Sequence, residues 1–272
     1  MTTIFSYDFM QRALVAAVII GFVAPLIGVF LVQRRLTLLG DGMGHVALTG
    51  VGLSFLLGTA AIPTALVLAV IGAIVIEVIR ARSRTAGDLA LALVFYGGIA
   101  GGVFFTSLSS GRSSTALNQY LFGSLSTVSS SDVIALAVAG VLVLITLAIF
   151  GRELFAVSLD PDTAHTQGIA TTRISTLLTV LAAVTVVIGM RTVGLLLVSA
   201  IMIVPVAASQ QLVRSFRGSA IGGVAVGLVA AVGGLIGSFQ LDVPPGPMIV
   251  FVALGVFLVA AVVGPLVRRQ NA

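Results

Sequence analysis

Val133-Ile134-Ala135-Leu136-Ala137-Val138-Ala139-Gly140-Val141-Leu142-Val143-Leu144-Ile145-Thr146-Leu147-Ala148-Ile149-Phe150 is an 18-residue run without a charged side chain. As a helix it would cover about 27 Å, close to the hydrocarbon thickness of a bilayer. The run has no strand-like alternation. In lipid the backbone must satisfy its own hydrogen bonds, so the run reads as a membrane-spanning helix. The same pattern recurs on both sides of it. Hydrophobic segments are predicted at about 10–33, 40–57, 62–79, 87–107, 132–150, 174–190, 193–212, 219–238 and 246–266. The expected fold is all-α, a polytopic transmembrane bundle of about 8–9 spans forming a single domain over residues 1–272.

Composition agrees. The chain is 58% hydrophobic and 8% charged, where a soluble domain carries about 25% charged residues. Its mean hydropathy is +1.22. Absence of cysteine removes disulfides and thiolate metal sites. The net charge of +5 comes entirely from arginine on the basic side. These arginines sit at segment ends, which marks membrane flanks rather than a nucleic-acid surface. Asp8 and Arg12 precede an apolar run that leads into further spans, so no cleaved leader is expected.

Arginine placement also sets an orientation. With the first segment running inward, Arg34, Arg35, Arg80, Arg82, Arg84, Arg152, Arg173, Arg214, Arg217, Arg268 and Arg269 fall on the cytoplasmic side. Arg12, Arg112 and Arg191 fall outside, and the C-terminus is expected in the cytoplasm. Arg191 and Thr192 are expected to join the sixth and seventh segments as a tight hairpin or a bend. The polar stretch 108–131 reads as an outer loop or a re-entrant piece. Glycine pairs at helical spacing, among them Gly98 with Gly102 and Gly223 with Gly227, read as close-packing points.

Two places carry candidate chemistry. The first is Gly40-Asp41-Gly42-Met43-Gly44-His45. Asp41 and His45 are four residues apart and share a helical face. Ionisable groups in so apolar a chain usually face a bundle interior or a water-filled path. Carboxylate and imidazole suit a divalent metal. Asp41 would also serve as a helix N-cap, and His45 as a hydrogen-bonded interior residue. As a pair they read as a transient metal stop, with the surrounding glycines leaving room for the ion. The second place is the segment from about 151 to 173, the densest polar cluster in the chain. Asp160 fits an N-cap, Pro161 a first helical position and Gly168 a stop. A short exposed helix is expected, with Leu159 and Ala164 on its surface, as a docking element or a solvated connector.

With no lysine, the chain has no phosphate-binding loop of the G-x-x-x-x-G-K-[ST] type, and H-E-x-x-H is absent. An enzyme is not expected. Glu77 is expected to pair locally with Arg80 or Arg82 near the inner surface.

Four stretches resemble the membrane permease subunit of the zinc, manganese and iron ABC importers. They are Leu36-Thr37-Leu38-Leu39-Gly40-Asp41 with His45 and Gly50, then Tyr120 to Leu125, then Glu153 and Leu154 through Asp160, Ala164 and Gly168, and finally Val193 to Ser199 with Pro205 and Ala207. Gly44 stands where the family often has serine, and Leu48-Thr49-Gly50 where it often has Leu-Pro-Gly. The resemblance implies the fold of a type II ABC importer permease in a prokaryotic plasma membrane, working as a homodimer around a central metal path. It implies Asp41 and His45 as metal ligands, and ATPase docking through Glu153, Asp160, Ala164 and Gly168. It further implies separate cytoplasmic ATP-binding subunits, an extracytoplasmic metal-binding protein, no permanently bound cofactor, and a divalent transition metal as cargo. The alternative is a self-sufficient secondary transporter or channel for a cation or small solute.

Overall fold

Each apolar run becomes a helix. The computed structural model describes residues 7–82, 87–109, 119–123 and 128–270, with side chains at 87, 88 and 266–270 left aside. The helices are α1 (Asp8–Gln33), α2 (Leu39–Leu57), α3 (Ala61–Arg82), α4 (Gly87–Leu108), α5 (Ser130–Leu159), α6 (Pro161–Thr166), α7 (Thr171–Val193), α8 (Leu195–Leu212), α9 (Phe216–Leu241) and α10 (Pro245–Gln270). No strand occurs among the described residues. Eight of these helices are long and apolar enough to cross a membrane; α2 and α6 are not among them. Asp41, His45 and the glycines around them lower the hydropathy of α2.

The bundle is layered by burial. About two-thirds of the spanning window of α1 and of α7 is buried (67% each), against 22% for α5 and α10, so α1 and α7 form the inside. Helix α2 packs against α3, α4, α7 and α8, while α1 packs against α5, α7, α8 and α9. Glycines allow these approaches, because van der Waals fit drives helix association in lipid. A Cβ on Gly98 would lie 2.7 Å from the His45 carbonyl carbon, and one on Gly227 would strike the Gly21 carbonyl oxygen. Gly97 and Gly233 have no such close neighbour, so only one member of each of their spaced pairs makes a tight contact.

Two boundaries differ from expectation. Helix α5 runs on to Leu159 instead of stopping near Phe150. Arg152 and Glu153 mark where the chain leaves an apolar setting, yet both are good helix formers and nothing there breaks the helix. The break between α7 and α8 falls at Gly194 rather than at Arg191 and Thr192. Gly194 has φ +91° and Gly123 has φ +73°, a region that L side chains rarely adopt. The two meet backbone to backbone: a Cβ on Gly194 would lie 2.5 Å from the Gly123 nitrogen. Gly246, at the start of α10, joins them against the Phe122 carbonyl. Residues 119–122 form one helical turn packed on this corner, while 110–118 and 124–127 of the polar stretch lie outside the described residues.

Ser129 and Asp132 cap α5 reciprocally, and Asp132 Oδ1 also forms an ion pair with Arg191 Nε at 3.1 Å. This pair sits by the Gly194 corner. Burial raises the pKa of the neighbouring Tyr120 phenol, with Arg191 pulling it down and Asp132 pushing it up.

Candidate functional site

Helix α2 begins at Leu39 with Leu38 as its N-cap and no side-chain cap bond. Asp41 therefore lies inside the first turn and does not cap the helix. There it lies at the positive end of the helix dipole, which attracts negative charge and partly opposes a cation. One turn later His45 Nε2 stands 3.9 Å from Asp41 Oδ2, too far for a hydrogen bond. The side chains are 15% (His45) and 28% (Asp41) exposed. The imidazole lies edge-on to Phe95, with ring centres 4.8 Å apart. Thr49 Oγ1, a further turn along, donates to the Gly98 carbonyl at 2.8 Å and fastens α2 to α4.

Depth follows from neighbours. His45 backs onto Gly98, midway along α4, and Val46 packs on Gly72, midway along α3. His45 is thus level with the middle of two spanning helices, and Asp41 lies one turn nearer the start of α4, beside Leu91 and Phe95. The flanking glycines do not leave space for an ion, contrary to expectation. Gly44 is filled by the Leu195 side chain, Gly42 faces Leu91 and Gly40 faces Ser199 and Met202. They bring α4 and α8 close to α2. The open space lies on the other side of Asp41, as a cavity of ≈ 250 Å³ lined also by Leu38, Leu91, Phe95 and Tyr96. These apolar lining residues carry no sequence signal that sets them apart from ordinary core. Among the described residues no group of three or more His, Cys, Asp or Glu side chains comes together. Asp41 and His45 thus bring together two side chains of ligand type, one with oxygen and one with nitrogen donors.

Glu77 is another carboxylate buried in the bundle. Its Oε1 accepts from Arg80 Nη1 and from Thr179 Oγ1, each at 2.7 Å. The local pair with Arg80 is as expected; Thr179 of α7, 102 positions away, was beyond sequence reasoning. Arg34, just after α1, is held below its ordinary pKa by burial while the Glu77 charge pulls it upward. This cluster binds α3 to α7 with Arg34 beside it.

The polar segment folds as its composition indicates. Asp160 caps α6, accepting from the amides of Asp162 and Thr163 and from the Thr163 hydroxyl at 2.6 Å. Those bonds hold its carboxyl below the usual range, the Thr163 hydroxyl contributing most. At the other end Gly168 (φ +84°) donates to the His165 carbonyl and Ile169 to the Ala164 carbonyl, a Schellman stop. Leu159 is exposed, but Ala164 is only 2% exposed and faces the chain's own core, not its surface. The outer face of α6 consists of Asp162, Thr163, His165 and Thr166. Glu153 is half-buried, with Oε2 lacking a hydrogen-bond partner among the described residues.

Fold and composition together define a class, the multi-pass helical membrane permease. Comparison with known proteins makes that class specific. The chain is 32% identical to the manganese import system permease protein ScaB of Streptococcus gordonii, over 96% of this chain and 94% of that protein. It is 31% identical to the manganese transport system membrane protein MntC of Listeria innocua, over 95% of this chain and 92% of the other. The solved PsaBC structure from Streptococcus pneumoniae superposes with a TM-score of 0.85 at 30% identity, covering 97% of this chain and 95% of that one. The profile of the ABC 3 transport family matches residues 6–264, and the chain belongs to that family. It is the permease subunit of an ABC transporter, and ATP hydrolysis belongs to a separate subunit.

Proposed function

We propose that this permease imports a divalent transition metal, with manganese favoured over zinc and iron, and that Asp41 and His45 are its ligands during passage. The observation that carries the ligand assignment is Asp41 itself. It is a part-exposed carboxylate one helical turn from mid-bundle depth, facing a cavity, with no hydrogen-bond partner among the described residues. Such a group is costly against lipid and calls for a function or a covering partner. The relatives from Streptococcus gordonii and Listeria innocua carry manganese in their names. Carboxylate with imidazole suits that ion and leaves coordination positions for water.

Two ligands per chain suit a homodimer, in which the Asp41 sides of two copies meet and supply two carboxylates and two imidazoles. Leu38 and Tyr96 flank Asp41 and are both exposed, so a second copy would cover apolar surface together with the charge. Residues 151–173 are the ATPase-docking segment of a single 1–272 permease domain, with Glu153, Asp160, Ala164 and Gly168 shaping it. Ala164 acts from inside, seating α6, and the exposed face of α6 meets the ATPase. An extracytoplasmic metal-binding protein delivers the ion. The chain sits in a prokaryotic plasma membrane with its C-terminus in the cytoplasm.

The test is manganese accumulation in cells that depend on this chain, compared with Asp41→Ala and His45→Ala variants expressed at equal level. Uptake should fall to background in both, with ATPase co-purification unchanged. Normal uptake in both would remove the ligand assignment. Accumulation of zinc or iron in place of manganese would correct the cargo alone.

A further inference from the structure

A second cavity, ≈ 580 Å³, lies between the end of α5 and the start of α9. Arg152 and Arg217 line it together with Ser215, over apolar walls of Ala148, Phe155 and Phe216. Phe155 and Phe216 meet edge to face with ring centres 4.7 Å apart. No carboxylate lines this space. Both arginines are exposed and make no hydrogen bond or ion pair among the described residues. Arginine forks left free in this way suit a phosphate, which they bind bidentately. The amides at the start of α9, where Ser215 caps the helix, add partial positive charge on the same side.

Position along α5 separates the two chemistries of the cavity. At about 1.5 Å per residue, Ala148 lies about 27 Å from Ser130, still at hydrocarbon depth, and Arg152 about 33 Å, past it. The outer face of α5 at this level carries exposed Ile145, Ile149 and Phe150, side chains suited to acyl chains. By the same rise Phe155 lies about 38 Å from Ser130, beyond Arg152, so the tail side of the cavity is Ala148 with the exposed Ile145 and Ile149 near it along α5, while Phe155 and Phe216 lie at the level of the arginines.

We propose that this cavity holds an anionic phospholipid, its phosphate between Arg152 and Arg217 and a tail running past Ala148 along Ile149 and Ile145. A basic pocket between spanning helices at the arginine-rich end of a bundle is the setting in which acidic lipids bind membrane proteins. Arg152 and Phe155 open the proposed docking segment, but the ATPase meets its exposed α6 face, which begins more than a helical turn further along the chain, while the cavity opens beside lipid-facing residues of α5.

The experiment uses the assembled transporter, permease with its ATPase, in phosphatidylcholine nanodiscs with or without phosphatidylglycerol. Bound lipid is read by native mass spectrometry for the wild type, Arg152→Gln/Arg217→Gln and the control Arg12→Gln. Phosphatidylglycerol should stay with the wild type and the control, and the double variant should lose it by about tenfold or more. If the Gln variant does not assemble, Arg152→Lys/Arg217→Lys replaces it and should bind with intermediate strength. Equal retention by wild type and variant would overturn the proposal. So would displacement by millimolar inorganic phosphate, which would mark a free-anion site. Loss of ATPase from the double variant with lipid retention unchanged would mark a protein interface and overturn it as well.

Discussion

Asp41 and Glu77 are both carboxylates on helices of the α2–α3–α4 group, yet their surroundings are opposite. Glu77 is 5% exposed and accepts from Arg80 and Thr179 within its own chain. Asp41 is 28% exposed, and its ionisable neighbour His45 stands 3.9 Å away. An ionised group inside a membrane protein is stable when something neutralises and solvates it. For Glu77 the chain supplies everything, so the residue holds helices together. For Asp41 the chain supplies one loosely placed imidazole and an opening. Burial and partner count, more than residue type, separate a satisfied carboxylate from an unsatisfied one.

The comparison breaks most decisively at the open site. Loss of an outer-shell partner of a metal ligand typically costs about 10–100-fold, so removal of a ligand should cost at least that. Asp41→Ala or His45→Ala should lower metal uptake beyond about tenfold and leave thermal unfolding in detergent unchanged. Unfolding shifts as large as those at Glu77 would show that the two carboxylates do the same work. At Glu77 the expected outcome is reversed. Glu77→Ala leaves Arg80 and Arg34 without their acid in a buried setting, a loss of about 3–5 kcal/mol in stability. Unfolding in detergent checks it, and wild-type stability would place the pair at the surface.

A milder change sharpens the same contrast. Thr179→Val removes one hydrogen bond to a charged group and should cost about 1.5–3 kcal/mol. The effect should vanish in a Glu77→Ala background, which a double-mutant cycle reads directly. The smallest effect belongs to Asp160, a carboxylate with local partners in full solvent. Its folded pKa lies below the unfolded value of about 3.9, so its capping contribution is present above that value and lost as pH falls through the lower one. Amide-exchange protection of residues 162–169, corrected for intrinsic rates, should stay flat between about pH 5 and 8. Asp160→Ala should lose it by a few-fold.

Helix placement was legible because lipid enforces a simple pattern, and nine long segments can be read from hydropathy alone. The α6 cap and stop were legible too, since Asp160, Pro161 and Gly168 act through their own backbone neighbourhood. What depends on distant partners was not. No local signal connects Glu77 to Thr179 or Asp132 to Arg191, because those pairings form only when helices pack. The glycines around Asp41 were misread for the same reason: space beside a glycine belongs to whichever neighbour fills it, and here Leu195 and Leu91 do. Ala164 was assigned to a surface because a short polar helix shows no inward face in its sequence.

The corner where Gly123, Gly194 and Gly246 meet has a consequence for engineering. Three chain segments far apart in sequence touch there through peptide groups alone, with two of the glycines in left-handed conformations. Rotamers cannot take up a displacement at such a junction. Any tilt of α8 must carry the adjoining strand of polypeptide along with it, and the amino-acid alphabet at Gly123 and Gly194 shrinks to a single letter. Fluorophores, crosslinkers or epitope tags meant to report on transport belong elsewhere, because at this hinge pin the reporter would become the perturbation.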